Sequence, residues 1–386
     1  MSAEFLTILG STGSIGEQTL QTLKLLPGEW CVNFLTTNSR IDILERQARE
    51  FKPQGVAIAD ADAYRQFKKN TSFKGEILCG NEGIAAVAAD SKNTILVSAL
   101  VGFAGAMPTL AAIRAGYVRR IALANKESLV SAGCIIMPEA RKKQIEILPI
   151  DSEHSAILQC LRGEDYEEVE KIILTASGGP FRERPAETFG AIRPEDALRH
   201  PTWNMGAKIT IDSSTLMNKG FEVIEAFWLF DFPPEKIDVI IHPQSIVHSL
   251  VQFRDGSMKA QLGAPDMRVP IAHALAYPSH VTSDFPRLNL LENHELKFYA
   301  PDYDKFPCLR HAYYCLEKGG TYSAVLNAAN EIAAQLFLEN KIRFTDIPRL
   351  ISEAVEPHNS IENPSIEDIT EIDSATREII LKTEAR

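Results

Sequence analysis

Three features that often reveal a protein's class are missing from this chain of 386 residues. No apolar run approaches the ~18–20 residues that a membrane-spanning helix needs. No two cysteines form a Cys-x-x-Cys pair, which argues against a zinc knuckle or a redox dithiol. Basic residues are not in excess, because the formal net charge is −11. This charge argues against nucleic acid and anionic membranes as partners, but a small phosphorylated substrate needs only a local cationic pocket.

The cysteines are few and scattered, a usage typical of buried thiols in a reducing cytosol. They are Cys31, Cys79, Cys134, Cys160, Cys308 and Cys315. The first predicted strand starts at Glu4 and leaves no room for a signal or transit peptide, so we expect a cytoplasmic protein.

Length and composition indicate a globular protein with several domains. The content of 45% hydrophobic and 24% charged residues is typical of soluble globular proteins. A chain of this length exceeds one ordinary core, so two or three domains are expected. We find no internal repeat and no low-complexity tract.

A glycine-rich loop follows the apolar run Phe5–Leu9 of the first predicted strand. Its three glycines are Gly10, Gly13 and Gly16, and an amphipathic helix is predicted from Glu17 to Leu26. Glycines let the backbone approach a pyrophosphate closely, and a helix N-terminus offers free N–H groups. The order strand, loop, helix therefore favours a dinucleotide site over a tight turn without a ligand.

The second predicted strand, Cys31–Leu35, is not followed by an acidic residue. NAD-selective folds usually place an acid there to hold the ribose hydroxyls. The loop instead carries Asn38, Ser39 and Arg40. Arg40 could meet a 2′-phosphate, which favours NADP, or it could be a solvated loop charge.

Further strands at 55–59, 94–98 and 121–124, with helices between them, predict a doubly wound parallel sheet. Asn125 and Lys126 follow the last of these strands, where ligands bind in such folds. Lys126 could reach a substrate oxygen and Asn125 a cofactor edge. Alternatively, Asn125 caps a helix and Glu127 complements its dipole.

Asp151 and Glu153 follow another predicted strand, 144–150. If extended geometry persists, both carboxylates project to one face and need a cation between them. Magnesium or manganese suits such oxygen ligands. Alternatively, the triplet Asp151-Ser152-Glu153 merely opens the next helix.

A third acid, Glu222, lies in a predicted helix from about 215 to 230 that follows a predicted strand at 210–214. Asn218, Lys219 and Glu222 share one helical face because they are three and four residues apart. Together with Ser213, these side chains would form a phosphate cradle beside a third metal ligand. The alternative is an ordinary surface pair between Lys219 and Glu222, and Glu225 is a rival ligand.

Residues 177–206 combine paired glycines, prolines and a lone Trp203, a composition that indicates a mobile flap over the substrate. Ser177 and His200 could add phosphate contacts. We interpret His242 and His248 as structural, because their spacing fits no usual zinc pair. The last third of the chain predicts four helices in a small bundle, with Asn327, Asn330 and Glu331 as polar contacts or plain surface.

Seven segments in fixed order resemble the 1-deoxy-D-xylulose 5-phosphate reductoisomerase family along almost the whole chain. They are GSTGSIG at 10–16, LANKES at 123–128, DSEH at 151–154, SGGPF at 177–181, HPTW at 200–203, MNKGFE at 217–222 and LNAANE at 326–331.

The resemblance implies NADPH- and metal-dependent rearrangement and reduction of 1-deoxy-D-xylulose 5-phosphate to 2-C-methyl-D-erythritol 4-phosphate, in the non-mevalonate isoprenoid pathway. It implies Mg²⁺ or Mn²⁺ on Asp151, Glu153 and Glu222. It implies a substrate phosphate held by Ser177, Ser213, Asn218 and Lys219, with His200 beside them. The substrate's hydroxyl and carbonyl end would meet Lys126, Ser152 and Glu153, under a flap that carries Trp203.

The implied NADPH contacts are Thr12, Gly13, Ser14, Ile15, Asn125, Glu127 and Gly206. Many members carry Gly-Lys-Asn where this chain has Asn38, Ser39 and Arg40, so Arg40 would replace the lysine at a 2′-phosphate. The catalytic residues would be Lys126, Asp151, Glu153 and Glu222. The family is usually homodimeric.

The predicted fold class is α/β, with three parts. A Rossmann-like doubly wound NADPH domain spans 1–150, and an α+β catalytic domain with a mixed sheet spans 151–285. A linker at 286–310 precedes a C-terminal helical domain at 311–386. Two other functions stay open from the residues alone. One is a metal-independent semialdehyde or homoserine-type dehydrogenase, whose thiol form would need Cys134 or Cys160 as nucleophile. The other is a non-catalytic NADP-sensing protein.

Overall fold

The computed structural model describes residues 3–199 and 206–384. Its strands are β1 Glu4–Leu9, β2 Trp30–Thr37, β3 Gly55–Ile58, β4 Glu76–Cys79, β5 Ile95–Ser98, β6 Arg120–Leu123, β7 Glu146–Pro149, β8 Val169–Ala176, β9 Ile237–Ile241, β10 Val247–Phe253 and β11 Met258–Leu262.

The helices follow in the same order along the chain. They are α1 Ser14–Leu23, α2 Ile41–Phe51, α3 Ala61–Asn70, α4 Gly80–Ala88, α5 Ala106–Ala115, α6 Lys126–Lys142, α7 Ser152–Leu161, α8 Pro194–Ala197, α9 Ala207–Ser214, α10 Met217–Phe230, α11 Arg268–Ala276, α12 Pro307–Lys318, α13 Tyr322–Leu338, α14 Asp346–Val355 and α15 Ile366–Glu384.

The chain divides into two compact units. The first comprises residues 1–128, 136–155 and 266–285, and the second comprises 129–135, 156–265 and 286–386. Residues 266–285, which the sequence analysis assigned to the catalytic segment, therefore group with the first unit. The division into four segments stays a prediction.

The first unit is built on a parallel seven-stranded sheet in the order β4-β3-β2-β1-β5-β6-β7. Its central strands are buried on both faces, and Ile95, Leu96 and Val97 of β5 are fully buried. Helices cover both faces of such a sheet, so its strands become apolar runs rather than alternating ones. The doubly wound prediction is confirmed, with one strand more than predicted, because β4 was missed.

The second unit has a mixed four-stranded sheet in the order β11-β10-β8-β9. β8 and β9 are parallel, and the other pairs are antiparallel. The four helices predicted in the last third of the chain are confirmed as α12 to α15, and they belong to this unit. Its core connects the mixed sheet, helix α10 and the bundle of α12 to α15 through fully buried side chains, which include Phe221, Leu309 and Phe337.

Within residues 3–199 and 206–384, every helix is too short or too polar to cross a lipid bilayer.

Candidate active site

The candidate ligand residues of the first unit lie where parallel strands end. The glycine loop follows β1, residues 38–40 follow β2, residues 125–127 follow β6 and residues 151–153 follow β7. The strand order reverses beside β1, because β2 lies on one side of it and β5 on the other. Such a switch point opens a crevice at the carboxyl edge of the sheet, the usual ligand site of doubly wound folds.

The glycine loop depends on glycine at two positions. Gly10 has a φ of +78°, and a Cβ there would lie 2.5 Å from the Ala99 carbonyl oxygen. A Cβ at Gly16 would lie 2.4 Å from the Gly10 oxygen. The loop delivers the chain to helix α1, whose N-cap Gly13 offers no side chain. The first N–H groups of this helix thus have no side-chain cap, which is the arrangement that binds phosphate.

Threonines at the end of β2 hold the glycine loop, a feature that the sequence analysis missed. The Thr12 and Thr37 hydroxyls lie 2.7 Å apart, and the Gly10 N–H donates to Thr36 Oγ1 at 2.8 Å. The pair Thr36-Thr37 just before the polar loop was the available signal.

Residues 38–40 are exposed, and they directly follow the two threonines that hold the glycine loop. The Arg40 N–H donates to Thr37 Oγ1 at 3.3 Å, and α2 begins at the next residue. The exposed position of Arg40 suits contact with an anionic group from solvent. Its role at a 2′-phosphate stays a prediction.

Asn125 is buried, caps helix α6 and also forms hydrogen bonds to the loop after β5. Its Oδ1 accepts from the Ser128 N–H at 3.0 Å, and its amide donates to the Leu100 and Gly102 carbonyls at 2.8 and 2.9 Å. A Cβ at Gly105 would lie 2.4 Å from Asn125 Oδ1. The side chain therefore fixes the loop after β5 and caps α6, while its contact with a cofactor stays a prediction.

Asp151 does not continue a strand, so the extended geometry expected at 151–153 is wrong. β7 ends at Pro149 and α7 begins at Ser152. Asp151 Oδ1 accepts the Glu153 N–H at 3.1 Å. A carboxylate that accepts such N–H groups caps a helix, and this bonding outweighs the strand pattern of the preceding residues.

Asp151 also has two cationic or titratable neighbours. Its Oδ2 forms an ion pair with Lys126, whose ammonium is buried. His154 Nδ1 lies 3.2 Å from Asp151 Oδ1. His154 belongs to the segment at 151–154, but the sequence analysis assigned it no role. Its spacing of three residues from Asp151 was the signal for this contact.

Ser152 and Glu153 complete this part of the site. The Ser152 hydroxyl donates to Glu153 Oε2 at 2.6 Å. Both side chains are half-buried, which leaves each accessible to a ligand.

In the second unit, residues 207–230 form two successive helices, so the strand predicted at 210–214 is wrong. Helix α9 ends at Ser214, and Leu216 adopts a φ of +60° before α10 begins. The short apolar and β-branched run at 209–211 fits a buried helix turn as well as a strand. The helix predicted at 215–230 is confirmed.

Glu222 is buried on the face of α10 that the sequence indicated. Its two carboxylate oxygens are held separately: Asn218 Nδ2 donates to Oε1 at 2.6 Å, and Lys219 forms an ion pair with Oε2. The alternative of a surface pair is wrong, because the Lys219 and Glu222 side chains are only 4% and 1% exposed.

The turn that carries Ser177 packs on the end of α9. Gly178 and Gly179 have φ values of +85° and +69°, and Ser177 Oγ accepts the Gly179 N–H at 3.3 Å. A Cβ at Gly179 would lie 2.6 Å from the Ser213 carbonyl oxygen. The second unit thus brings the Ser177 turn against Ser213, which lies one short connection from Asn218 and Lys219.

Three predicted residues of the flap have different outcomes. His200 and Trp203 lie outside the described residues. Gly206 is the N-cap of α9, and its carbonyl accepts the Thr210 hydroxyl at 2.8 Å. It belongs to the second unit, whereas the other predicted NADPH contacts belong to the first.

The histidines expected to be structural have protein partners. His242 is buried, its Nδ1 lies 2.9 Å from the Lys297 carbonyl oxygen, and its Nε2 accepts the Ile246 N–H at 3.2 Å.

The two thiols nearest to a nucleophile role are poorly suited to it. Burial raises the pKa of the Cys160 thiol to about 11 and also raises the pKa of Cys134. A thiolate, not a thiol, attacks a carbonyl carbon, and a raised pKa keeps both groups mostly protonated at neutral pH. This disfavours the thiol-dependent dehydrogenase alternative.

Sequence comparison covers almost the whole chain. Family profiles match for 1-deoxy-D-xylulose 5-phosphate reductoisomerase over residues 6–133, for its C-terminal domain over 147–230, and for the DXP reductoisomerase C-terminal domain over 262–379. The chain is 49% identical over 375 residues to 1-deoxy-D-xylulose 5-phosphate reductoisomerase 1 of Bacillus cereus, covering 97% of each chain. It is 50% identical over 378 residues to the reductoisomerase of Caldanaerobacter subterraneus, covering 98% of each.

The chain belongs to the 1-deoxy-D-xylulose 5-phosphate reductoisomerase family.

Solved reductoisomerase structures share the fold. The Zymomonas mobilis enzyme in complex with NADPH superposes with a TM-score of 0.91 at 39% identity, over 99% of both chains. A DOX-P reductoisomerase in complex with NADPH, fosmidomycin and magnesium superposes with a TM-score of 0.94 at 41% identity, over 99% of this chain and 98% of that one. The predicted fold class is confirmed.

Proposed function

We infer that this chain catalyses the NADPH- and divalent-metal-dependent rearrangement and reduction of 1-deoxy-D-xylulose 5-phosphate to 2-C-methyl-D-erythritol 4-phosphate. The observation that carries this conclusion is its identity of 49–50% to reductoisomerases over 97–98% of its length. The donor groups of the two units fit each part of that reaction.

Asp151, Glu153 and Glu222 would hold the metal ion. Each offers one carboxylate oxygen, and hard divalent cations such as Mg²⁺ and Mn²⁺ prefer oxygen ligands. Glu222 is almost fully buried, and a buried carboxylate needs cationic or hydrogen-bonding partners. When bound, the ion supplies Lewis acidity to the substrate's oxygens.

The substrate phosphate is held by Ser177, Ser213, Asn218 and Lys219. These groups combine hydroxyl, amide and ammonium donors with the N-terminus of α10, whose N-cap residue Leu216 makes no side-chain cap. Charge-assisted bonds of this kind anchor the substrate far from its reacting carbons, and their free energy can position the reacting end. His200 and Trp203 would contact the substrate from the flap.

The reacting end of the substrate meets Lys126, Ser152 and Glu153. Lys126 holds a buried ammonium beside Asp151, so it can donate a hydrogen bond to a substrate hydroxyl or carbonyl oxygen while its charge stays compensated. Ser152 already donates to Glu153, and this bond orients the carboxylate.

The glycine loop would hold NADPH, which supplies the hydride when bound. Thr12, Gly13, Ser14 and Ile15 would present the uncapped end of α1 to its pyrophosphate. Asn38, Ser39 and Arg40 would contact its 2′-phosphate. Asn125 shapes the adjoining loop, and Glu127 and Gly206 add further contacts.

The first test follows NADPH consumption with 1-deoxy-D-xylulose 5-phosphate in the presence of Mg²⁺, after EDTA, and after fresh Mg²⁺ or Mn²⁺. We expect turnover that EDTA abolishes and added metal restores. Product identity is checked by mass spectrometry. Turnover that persists after chelation, or no turnover by folded protein that binds NADPH, would contradict the proposal.

We also propose a cytoplasmic homodimer, as the family implies. Sedimentation equilibrium of the purified chain should give twice the monomer mass of 42.8 kDa. A monomer at micromolar concentration would contradict this part, while leaving the proposed reaction untouched.

A further inference from the structure

We propose that Asn330 is a positioning residue for the substrate-phosphate site, acting from helix α13 through Asp212 on the last turn of α9. The proposal rests on the proposed function, because it requires Ser213 to be a phosphate ligand. Its starting point is the segment at 326–331, which contributes no ligand to the proposed reaction.

Asn330 and Asp212 form a buried contact between distant parts of the second unit. Asn330 Nδ2 donates to Asp212 Oδ1 at 2.8 Å, across 118 residues of sequence. The other oxygen, Oδ2, lies 2.7 Å from Lys208 Nζ. Asn330 is 1% exposed, and the Asp212 side chain is 3% exposed.

This arrangement fixes the end of α9 in two directions. A buried carboxylate without partners is costly, so Asp212 stays where both donors reach it. Lys208 belongs to α9 itself, and its ammonium lies 4.8 Å from the ring centroid of Phe221 on α10, so it ties α9 to the helix that follows it in sequence. Asn330 belongs to α13, and it therefore sets the position of the last turn of α9 relative to the bundle.

That same turn supports both sides of the proposed cradle. Ser213 follows Asp212 directly, and its carbonyl oxygen is the atom against which Gly179 packs. A displacement of Asp212 would thus move Ser213 and loosen the turn that carries Ser177. Small misplacements of binding groups have large effects on reactions that depend on orientation.

Helix α13 does not need Asn330 for its own attachment. Leu326, Ala329 and Ala333 are fully buried, and Glu331 forms an ion pair with Arg377 of α15 at 2.7 Å. Asn327 provides a matched control, because it is also fully buried but donates along its own helix to Glu331 Oε1 at 3.0 Å.

The experiment compares Asn330→Ala and Asn327→Ala in the full-length enzyme with saturating Mg²⁺. We expect Asn330→Ala to raise KM for 1-deoxy-D-xylulose 5-phosphate roughly 10- to 100-fold, with an unchanged KM for NADPH. Asn327→Ala should lower Tm by about as much as Asn330→Ala does. It should raise neither the KM for 1-deoxy-D-xylulose 5-phosphate nor the KM for NADPH. If both variants lower Tm equally and neither changes KM, the role of Asn330 is structural and the proposal is wrong.

A third variant keeps the test independent of folding losses. Asn330→Asp sets a carboxyl group against Asp212 and can donate only when protonated. Its KM for substrate, divided by that of the wild type, should therefore fall as the pH is lowered. A ratio that does not change with pH would overturn the proposal.

A failure of the proposed function can be told apart from a failure of the positioning role of Asn330. In that case the wild type shows no metal-dependent turnover. Titration calorimetry of the full chain with inorganic phosphate then decides the positioning role separately. Weaker phosphate binding by Asn330→Ala than by Asn327→Ala supports it, and equal binding overturns it.

Discussion

Glu222 shows how one side chain joins two proposed sites. It accepts from Asn218 and pairs with Lys219, both proposed phosphate ligands, and it is itself a proposed metal ligand. Its two carboxylate oxygens thus accept from donors that orient the side chain, and they would also bind the metal ion. Changes at this residue should act on metal binding more than on NADPH, whose proposed contacts lie mainly in the first unit.

We expect Glu222→Gln to lower kcat by at least about 100-fold, because the amide loses the charge that a divalent cation requires. NADPH affinity, measured by fluorescence titration, should change less than twofold. Exposed Glu317 provides the control, since Glu317→Gln removes the same charge from a surface helix. An equal loss of NADPH binding in Glu222→Gln would count against the metal assignment.

At the scale of the element, substitutions in two glycine turns should have opposite effects on the binding of NADPH and of the substrate. The loop after β1 should serve NADPH, and the turn after β8 should serve the substrate phosphate. In both, a positive φ and close backbone contact exclude a Cβ. Glycine tolerates such conformations, whereas other residues are destabilised by roughly 1–2 kcal/mol before any clash is counted.

Gly10→Ala should weaken NADPH binding at least about tenfold and lower the free energy of unfolding by about 1–3 kcal/mol, because its Cβ would meet the Ala99 carbonyl. Calorimetry and urea unfolding measure the two effects. Gly190→Ala is the matched control, since a Cβ there meets open space. Unchanged NADPH affinity in a folded Gly10→Ala variant would contradict the loop's proposed role.

Gly179→Ala should produce the reverse pattern. Its Cβ would press on the Ser213 carbonyl oxygen, so the Ser177 turn must shift. We expect KM for 1-deoxy-D-xylulose 5-phosphate to rise at least about tenfold, while KM for NADPH stays within twofold. Steady-state kinetics with each substrate varied in turn check this, and a rise in both values would argue for general misfolding instead.

At the scale of the whole molecule, we expect the C-terminal bundle to be sensitive to acid at His358. His358 Nε2 lies 2.8 Å from Thr321 Oγ1, and its carbonyl accepts the Tyr322 hydroxyl at 3.0 Å. Burial lowers the pKa of His358 below its ordinary value of 6.5. The unfolded chain therefore binds more protons than the folded chain just below that value.

This difference in bound protons sets the direction in which the stability of the protein changes with pH. The contribution of neutral His358 to stability is fully present above pH 6.5 and is lost as the pH falls through the lower folded pKa. We expect Tm to fall more steeply between about pH 7 and pH 5 in the wild type than in His358→Gln. Parallel Tm profiles from scanning calorimetry would show that this histidine is not the sensor.

Local sequence patterns determined much of this protein. Glycine spacing placed the loop after β1, and spacings of three and four residues placed Asn218, Lys219 and Glu222 on one helical face, because both rules act over a single turn. The same local rules were ambiguous at 151–153 and 210–214, where short segments satisfied strand and helix patterns alike and capping or burial decided the outcome. Only the tertiary structure could bring Asn330 to Asp212 and Gly179 to Ser213. These contacts depend on how distant elements pack, and no local periodicity encodes that packing.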